Sequence, residues 1–318
     1  MSSSVALFTD PLFVRHETGS HPETPRRLER IWAGLDKHGL TARCDRVDFT
    51  PMSPEEVAKV HDRSVVDRAR LLAESGGGFL DADTVVCPET YKVALAAAGA
   101  CATAVDEVVA GTRKRALCLT RPPGHHATPS RSMGFCLFNN IALAARRARD
   151  AHGLSRVMIV DWDVHHGNGT QDIFYEDGQV HFLSIHRYGR GFYPGTGATD
   201  ETGSGRGLGC IRNEAVRFGI TRHDFLERFK SAVSEMADRC KPELILLSAG
   251  FDAHAADPIG TLGLETEDFG AMTRHMLDVA AMHSQGRLVS CLEGGYNLDA
   301  LADCVRIHLE ELLDHDPE

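Results

Sequence analysis

The chain has 318 residues, 42% of them apolar, and a formal net charge of −11; the apolar share can fill a large core, and the negative balance argues against direct nucleic-acid binding through phosphates while leaving cationic substrates compatible. No apolar run approaches the length of a membrane span, and Val5-Ala6-Leu7-Phe8, followed by Asp10, is too short for a signal peptide. The nine cysteines are scattered, with no Cys-x-x-Cys pair, and read as buried free thiols of a reducing compartment, which points to a cytoplasmic protein.

In chain order, Val5 to Phe8 reads as a first strand. Thr24 to His38 reads as a helix, with Thr24 as its cap, Pro25 at the first turn, Gly39 at its end, and Leu28, Ile31, Trp32 and Leu35 as its apolar stripe. Ser53-x-x-Glu56 is a capping box for a short helix ending near Val60. A long Ala-rich helix runs from Glu89 to Ala110 and is closed by Gly111; Ala116 to Leu119 is strand-like. Asn140 to His152 is helical, with Arg146, Arg147 and Arg149 on a solvated face. After the strand-like Val157 to Val160, the stretch from His186 to Cys210 holds eight glycines and no periodicity. Its aromatic residues Tyr188, Phe192 and Tyr193 favour a functional loop. Helices over Thr221 to Cys240, Glu267 to His283 and Leu298 to Leu313 alternate with the strand-like Leu244 to Leu247 and Leu288 to Cys291. This alternation predicts a parallel sheet covered by helices on both faces. With no linker tract and no internal repeat, residues 1–318 read as a single domain.

Four of these strands are followed by clusters that carry chemistry. Asp161-Trp162-Asp163-Val164-His165-His166 puts two carboxylates and two imidazoles just past a strand, and in an extended segment Asp161, Asp163 and His165 share one side. Carboxylate plus imidazole is a zinc ligand pattern. The alternative, a polar loop with a solvated acid pair, is disfavoured because other charged clusters also follow strands. Arg121-Pro122-Pro123-Gly124-His125-His126 places tandem histidines after a rigid turn, which suits proton transfer near neutral pH. Ser248-Ala249-Gly250-Phe251-Asp252 offers a third metal ligand in Asp252. In Glu293-Gly294-Gly295-Tyr296 the paired glycines allow close backbone approach, and Tyr296 either offers its hydroxyl to a ligand or is a buried structural Tyr. Ligands of open α/β sheets bind beyond the carboxyl ends of the strands.

These segments, together with Gly134-Phe135-Cys136, Asn139-Asn140, the run to Gln171 and Phe192-Tyr193-Pro194-Gly195-Thr196-Gly197, resemble the zinc-dependent histone deacetylase superfamily, nearest its class II branch and the bacterial histone deacetylase-like amidohydrolases. The resemblance runs from about His16 to about Leu298, with the motifs in the family's order. It implies a three-layer α/β/α sandwich around a mostly parallel, eight-stranded sheet. It further implies one zinc at Asp163, His165 and Asp252, with His125 backed by Asp161 and His126 backed by Asn168 as the paired histidines, and Tyr296 as donor to the oxyanion. His126 is expected to move the proton and His125 to act electrostatically. One potassium ion is implied at Asp161, Asp163, His165 and Ser184, and a second near Phe174, Asp177 and Val180. The implied substrate channel has Phe135 and Tyr193 as walls, Gly134 and Gly294 close to the site, Asp83 at the rim and Ile259 at the mouth. A loop-capping role competes for Asp83.

The expected reaction is hydrolysis of an acyl-lysine side chain or a small acylated amine. An acetylpolyamine amidohydrolase is the runner-up; a second cationic centre would favour an acid at the mouth, where this chain has Ile259, though Asp83 or Glu201 could serve. Arginases share the implied fold with two manganese ions, but His254 and the neutral Asn168 stand where further acidic ligands would be needed. A non-catalytic acyl-binding module is disfavoured because every expected ligand is present. A homo-oligomer is compatible with the sequence.

Overall fold

The structure is a computed structural model that describes residues 5–316. Its first half runs β1 (Val5–Phe8), α1 (Arg26–Lys37), β2 (Asp45–Arg46), α2 (Pro54–Val57), α3 (Arg63–Glu74), β3 (Gly78–Phe79), β4 (Val85–Val86), α4 (Thr90–Val109), β5 (Arg115–Cys118) and α5 (Asn140–His152). The second runs β6 (Val157–Asp161), α6 (Asn168–Phe174), β7 (Val180–Arg187), β8 (Ile211–Val216), α7 (Arg222–Cys240), β9 (Leu244–Ala249), α8 (Thr266–His283), β10 (Leu288–Leu292) and α9 (Leu298–Asp314).

Eight strands form one sheet in the order β2-β1-β5-β10-β9-β6-β7-β8, and every pairing in it is parallel. The central strands β5, β6, β9 and β10 are buried at every residue, as continuous apolar runs between two layers of helices must be. Helices α4 and α5 pack together over the centre of the sheet; α1, α9, α8 and α7 form a second row, each packed on the next. The alanines of α4 permit close approach: a Cβ at Gly99 would collide with the backbone around Thr50 and Pro51. The core is continuous, from Phe8 and Phe13 through Trp162 to Phe225 and Phe269. Truncating one such leucine or phenylalanine to alanine typically costs about 2–5 kcal/mol.

The sequence misplaces a few details. Thr24 makes no capping bond with its side chain; Pro25 stands at the N-cap of α1. The Ser53/Glu56 capping box is present, but α2 stops at Val57. Arg147 and Arg149 are half-buried rather than solvated, because Arg147 pairs with Asp106 of α4 and Arg149 with Asp177. The nine cysteines are free thiols, seven of them buried. No helix among the described residues is long and apolar enough to cross a membrane.

What the sheet does for the site is set by register. Cys118, Cys291, Ser248, Asp161 and Ser184 are partners in one row across β5, β10, β9, β6 and β7. The segments that follow this row leave the sheet at one level and on one edge.

Candidate metal and active site

Asp163 and His165 follow β6, and Asp252 follows β9, its direct neighbour. One donor atom of each lies within 4.8 Å of the others, and all three residues are buried. His165 Nδ1 is 3.1 Å from Asp163 Oδ1 and 3.2 Å from Asp252 Oδ2. The backbone fixes the outer oxygens: Gly294 N–H donates to Asp163 Oδ2 (2.9 Å) and Val164 N–H to Asp252 Oδ1 (2.9 Å). A Cβ at Gly294 would strike both carboxylates, so only glycine fits. Asp252 Oδ2 is buried with no hydrogen-bond partner. Burial and the Asp163 carboxylate push the Asp252 carboxyl up to about 7. Two carboxylates this close, one with an orphaned oxygen, repel unless a cation lies between them, so the donor set fits a metal ion. His254 stands apart from this group: its Nδ1 accepts the Ala256 N–H.

The tandem histidines leave β5 on the neighbouring segment, their rings 3.9 Å apart. His125 Nδ1–H donates to Asp161 Oδ2 (2.9 Å) and His126 Nδ1–H to Asn168 Oδ1 (2.7 Å). The partners drive the two rings apart. Burial alone would lower His125, but the Asp161 and Asp163 carboxylates overcome it and hold the ring well above the usual range. Burial, reinforced by the charges of His125 and His165, drives His126 well below it. Glu293, at the end of β10, accepts the N–H groups of Gly124 (2.7 Å) and His125 (3.2 Å) and the Ser248 hydroxyl (3.2 Å), tying three strand ends together. Burial lifts its carboxyl to about 7.

Tyr296 lies between Arg27, whose guanidinium carbon is 5.0 Å from the ring centre, and the edge of Phe135 at 5.8 Å. Burial raises its phenol well above the usual range, so the hydroxyl keeps its proton. Asp257 fixes the loop: its Oδ1 accepts Ile259 N–H (2.8 Å) and Gly260 N–H (3.0 Å), and its Oδ2 accepts Tyr296 N–H (2.7 Å) and Asn297 N–H (3.3 Å). Arg27 donates to the Gly295 carbonyl (2.7 Å) and to Glu23 (3.0 Å), which Arg121 also clasps. Burial would raise Glu23, but the Arg121 guanidinium holds it down at about 2.

Around these groups, Gly134 adopts φ +57°, and a Cβ there would meet His126 and the Tyr193 hydroxyl, both at 2.6 Å. Tyr193 sets its ring edge-on to His126 at 5.0 Å, while Phe192 stacks flat on His165 at 5.1 Å. Phe135 also takes φ +70° and receives the edge of His21 at 4.4 Å. Its N–H donates to Thr84 (3.1 Å), which brings the Asp81–Thr84 loop to the same mouth. Within that loop Asp81 is the capping residue, accepting the Asp83 and Thr84 N–H groups, so the carboxyl of the half-buried Asp83 does not cap it. Burial and the Asp81 carboxylate push Asp83 up to about 6. Ile259 is half-buried in the turn that Asp257 holds.

Ser184 lies beside Asp161 in the register, its hydroxyl on His186 Nδ1 (2.9 Å). Phe174, Asp177 and Val180 bracket the turn from α6 into β7, where Asp177 N–H donates to the Phe174 carbonyl (3.0 Å) and the Asp177 carboxylate is taken by Arg149 and Gln179. Sequence reasoning overlooks Arg27, Glu23, Asp257 and His61, which holds the Thr128 carbonyl (2.8 Å) and Asn139 N–H (2.9 Å). It also overlooks a latch on the glycine-rich loop, in which Glu201 accepts Gly197 N–H (3.1 Å), Ala198 N–H (3.0 Å) and the Gln171 amide (2.6 Å).

Known proteins are similar to this chain along most of its length. The histone deacetylase domain family matches residues 21–312. A histone deacetylase-like amidohydrolase of Pseudomonas aeruginosa is 37% identical over 98% of this chain and 87% of its own. Histone deacetylase 10, chloroplastic, of Oryza sativa subsp. japonica is 42% identical over 91% of this chain and 69% of its own. The crystal structure of the HDA15 HD domain superimposes with a TM-score of 0.92 at 36% identity, covering 99% of this chain and 90% of that one. Sequence along nearly the whole length and an all-parallel sheet that superimposes on a solved relative agree, and the chain belongs to the histone deacetylase family as a hydrolase of the deacetylase type.

Proposed function

We propose that the protein hydrolyses the amide of an acylated lysine side chain, with an acetylpolyamine as the second reading, using one zinc ion held by Asp163, His165 and Asp252. The orphaned, buried Oδ2 of Asp252, facing Asp163 and His165, is the observation that carries it. Two carboxylates and an imidazole suit zinc and leave a fourth position open. When bound, zinc supplies a Lewis acid that polarises a carbonyl and acidifies a water. Because Nδ1–H of His126 is spent on Asn168, its Nε2 carries the lone pair; it takes the proton from the attacking water and returns one to the leaving amine. His125, kept cationic by Asp161, stabilises negative charge beside it. The Tyr296 hydroxyl donates to the carbonyl oxygen as that oxygen becomes negative.

Phe135 and Tyr193 flank the acyl-lysine stem, Gly134 and Gly294 leave room for it, and Asp83 accepts from the substrate backbone. The uncharged Ile259 at the mouth favours acyl-lysine over a polyamine. Potassium ions are assigned to Asp161, Asp163, His165 and Ser184, and to Phe174, Asp177 and Val180. The whole forms one cytoplasmic catalytic domain over residues 1–318. Elemental analysis and acetate release from acetyl-lysine peptides and acetylated polyamines test this reading. A zinc-loaded protein that releases acetate from neither overturns it.

A further inference from the structure

The ends of β7 and β8, with the segments that follow them, carry positive charge on the far side of Phe192 from the metal group. Phe192 presents one face to His165, 2° from parallel, and the guanidinium of Arg187 sits 4.3 Å from the ring centre, which leaves it only the other face. Arg187 is in turn 4.7 Å from the ring of Phe218, which is 67% exposed. This column opens into a surface cleft of about 690 Å³ whose walls also include Tyr188, Arg190 and Arg217. The chain has 45 acidic and 34 basic residues, yet these walls hold three arginines and no carboxylate. Among the described residues none of the three arginines is in an ion pair; the side chain of Arg187 donates only to the Gly260 carbonyl (3.2 Å). Neighbouring acids are occupied elsewhere: Glu201 in its latch and Glu214 on Arg212. Asp200 is exposed beside Thr199.

A guanidinium stacked on two aromatic rings is held in one orientation, and the N–H groups that Gly260 does not take remain for a carboxylate. We propose that this cleft is a substrate subsite for a carboxylate, so that the preferred substrate is a polypeptide with Asp or Glu a few residues from its acylated lysine. The proposal rests on the acyl-lysine reading above and deepens it. An extended peptide advances about 3.4 Å per residue, so a side chain two to four positions away spans about 7–14 Å. Such a peptide lies across a mouth with opposite charges at its two sides, Asp83 near Phe135 and the arginines beyond Phe192. A polyamine or a polybasic tail brings its cations against three unneutralised arginines and is rejected.

The test compares kcat/KM of the zinc-loaded enzyme on two acetyl-lysine peptides that differ only in Glu or Lys at the second and third positions on each side. Two exposed arginine–carboxylate contacts give an expected preference for the Glu peptide of about tenfold, or about 1.4 kcal/mol, carried by KM. It should shrink towards one in about 0.5 M NaCl. The double variant Arg190→Glu/Arg217→Glu should reverse the preference, and Arg190→Gln/Arg217→Gln should shrink it to the share that Arg187 alone supports. Because each ratio is taken within one preparation, partial misfolding or incomplete zinc cancels. Good turnover with a ratio within about twofold of one, or a ratio indifferent to both double variants, overturns the subsite alone. Absence of turnover on every acyl-lysine peptide overturns the acyl-lysine reading, and the subsite falls with it.

Discussion

Asp257→Asn should detach Tyr296 without disturbing the metal group. The carboxylate of Asp257 is buried and accepts four backbone N–H groups, two on each oxygen. An asparagine keeps the shape but has one acceptor oxygen. That oxygen stays with the more evenly bonded pair, Ile259 and Gly260 at 2.8 and 3.0 Å, which turns the new NH2 against the N–H groups of Tyr296 and Asn297. Two half-buried donors then lose their acceptor, against roughly 1–3 kcal/mol for a fully buried one, so a total near 2–4 kcal/mol is expected once the loop relaxes towards solvent. In a chain of this size that lowers Tm by several degrees. Asp252 is held separately by Val164, so zinc content should stay normal. With Tyr296 in its proposed role as oxyanion donor, kcat should fall by at least about tenfold, towards the hundred- to thousand-fold typical of a lost oxyanion donor, with KM little changed. The assay is kcat and KM on an acetyl-lysine peptide, with zinc analysis and thermal melting of the same samples. If kcat and Tm both match the parent, the carboxylate does not hold Tyr296 and the argument is wrong. If kcat persists while KM rises, the amide has turned the other way and released the Ile259 turn.

Asp252→Ala should leave the fold largely intact while removing metal and activity; full zinc occupancy by elemental analysis would refute the ligand assignment. Tyr296→Phe should lower kcat about a hundredfold or more with little change in KM, and a kcat within about twofold of the parent would make Tyr296 structural. His126 is held low by burial and by the charges of His125 and His165, so it is neutral near pH 7 and activity should fall as pH drops through its pKa. Asn168→Asp places a carboxylate on Nδ1, favours the imidazolium and should move that acidic limb to higher pH in a kcat/KM profile. At equal zinc content His126→Ala should be more damaging than His125→Ala, and the reverse order would exchange their roles.

The central strands were legible because β5, β6, β9 and β10 are short, continuously apolar runs. β7 was not, since His181, Ser184 and His186 interrupt the pattern; Ser184 and His186 satisfy each other inside the sheet. β8 at the sheet edge carries three polar residues in a row, Arg212, Asn213 and Glu214, and reads as loop until its ion pair is seen. The ligands and tandem histidines could be found because each cluster is dense in sequence. Arg27 and Asp257 could not, because the backbone groups they hold beside the site, the Gly295 carbonyl and the Tyr296 N–H, lie 268 and 39 positions away. Their importance exists only after the chain has folded, as backbone carbonyls and N–H groups with one acceptor or donor in reach.

The strand order also governs how such a chain can be made. β10 follows every other described strand in the chain, yet it occupies the fourth place in the sheet, between β5 and β9. Until residues 288–292 emerge, the ribosome presents two unjoined half-sheets, β2-β1-β5 and β9-β6-β7-β8, each with a long open parallel edge. Open edges of this kind invite pairing with other chains. A nascent chain shorter than this holds the tandem histidines on one half and the Asp163, His165 and Asp252 cluster on the other, linked by the His125–Asp161 and His126–Asn168 hydrogen bonds but without the strand that fixes their register. A chain that stops before β10 is therefore expected to be an aggregation-prone fragment in place of a weaker enzyme.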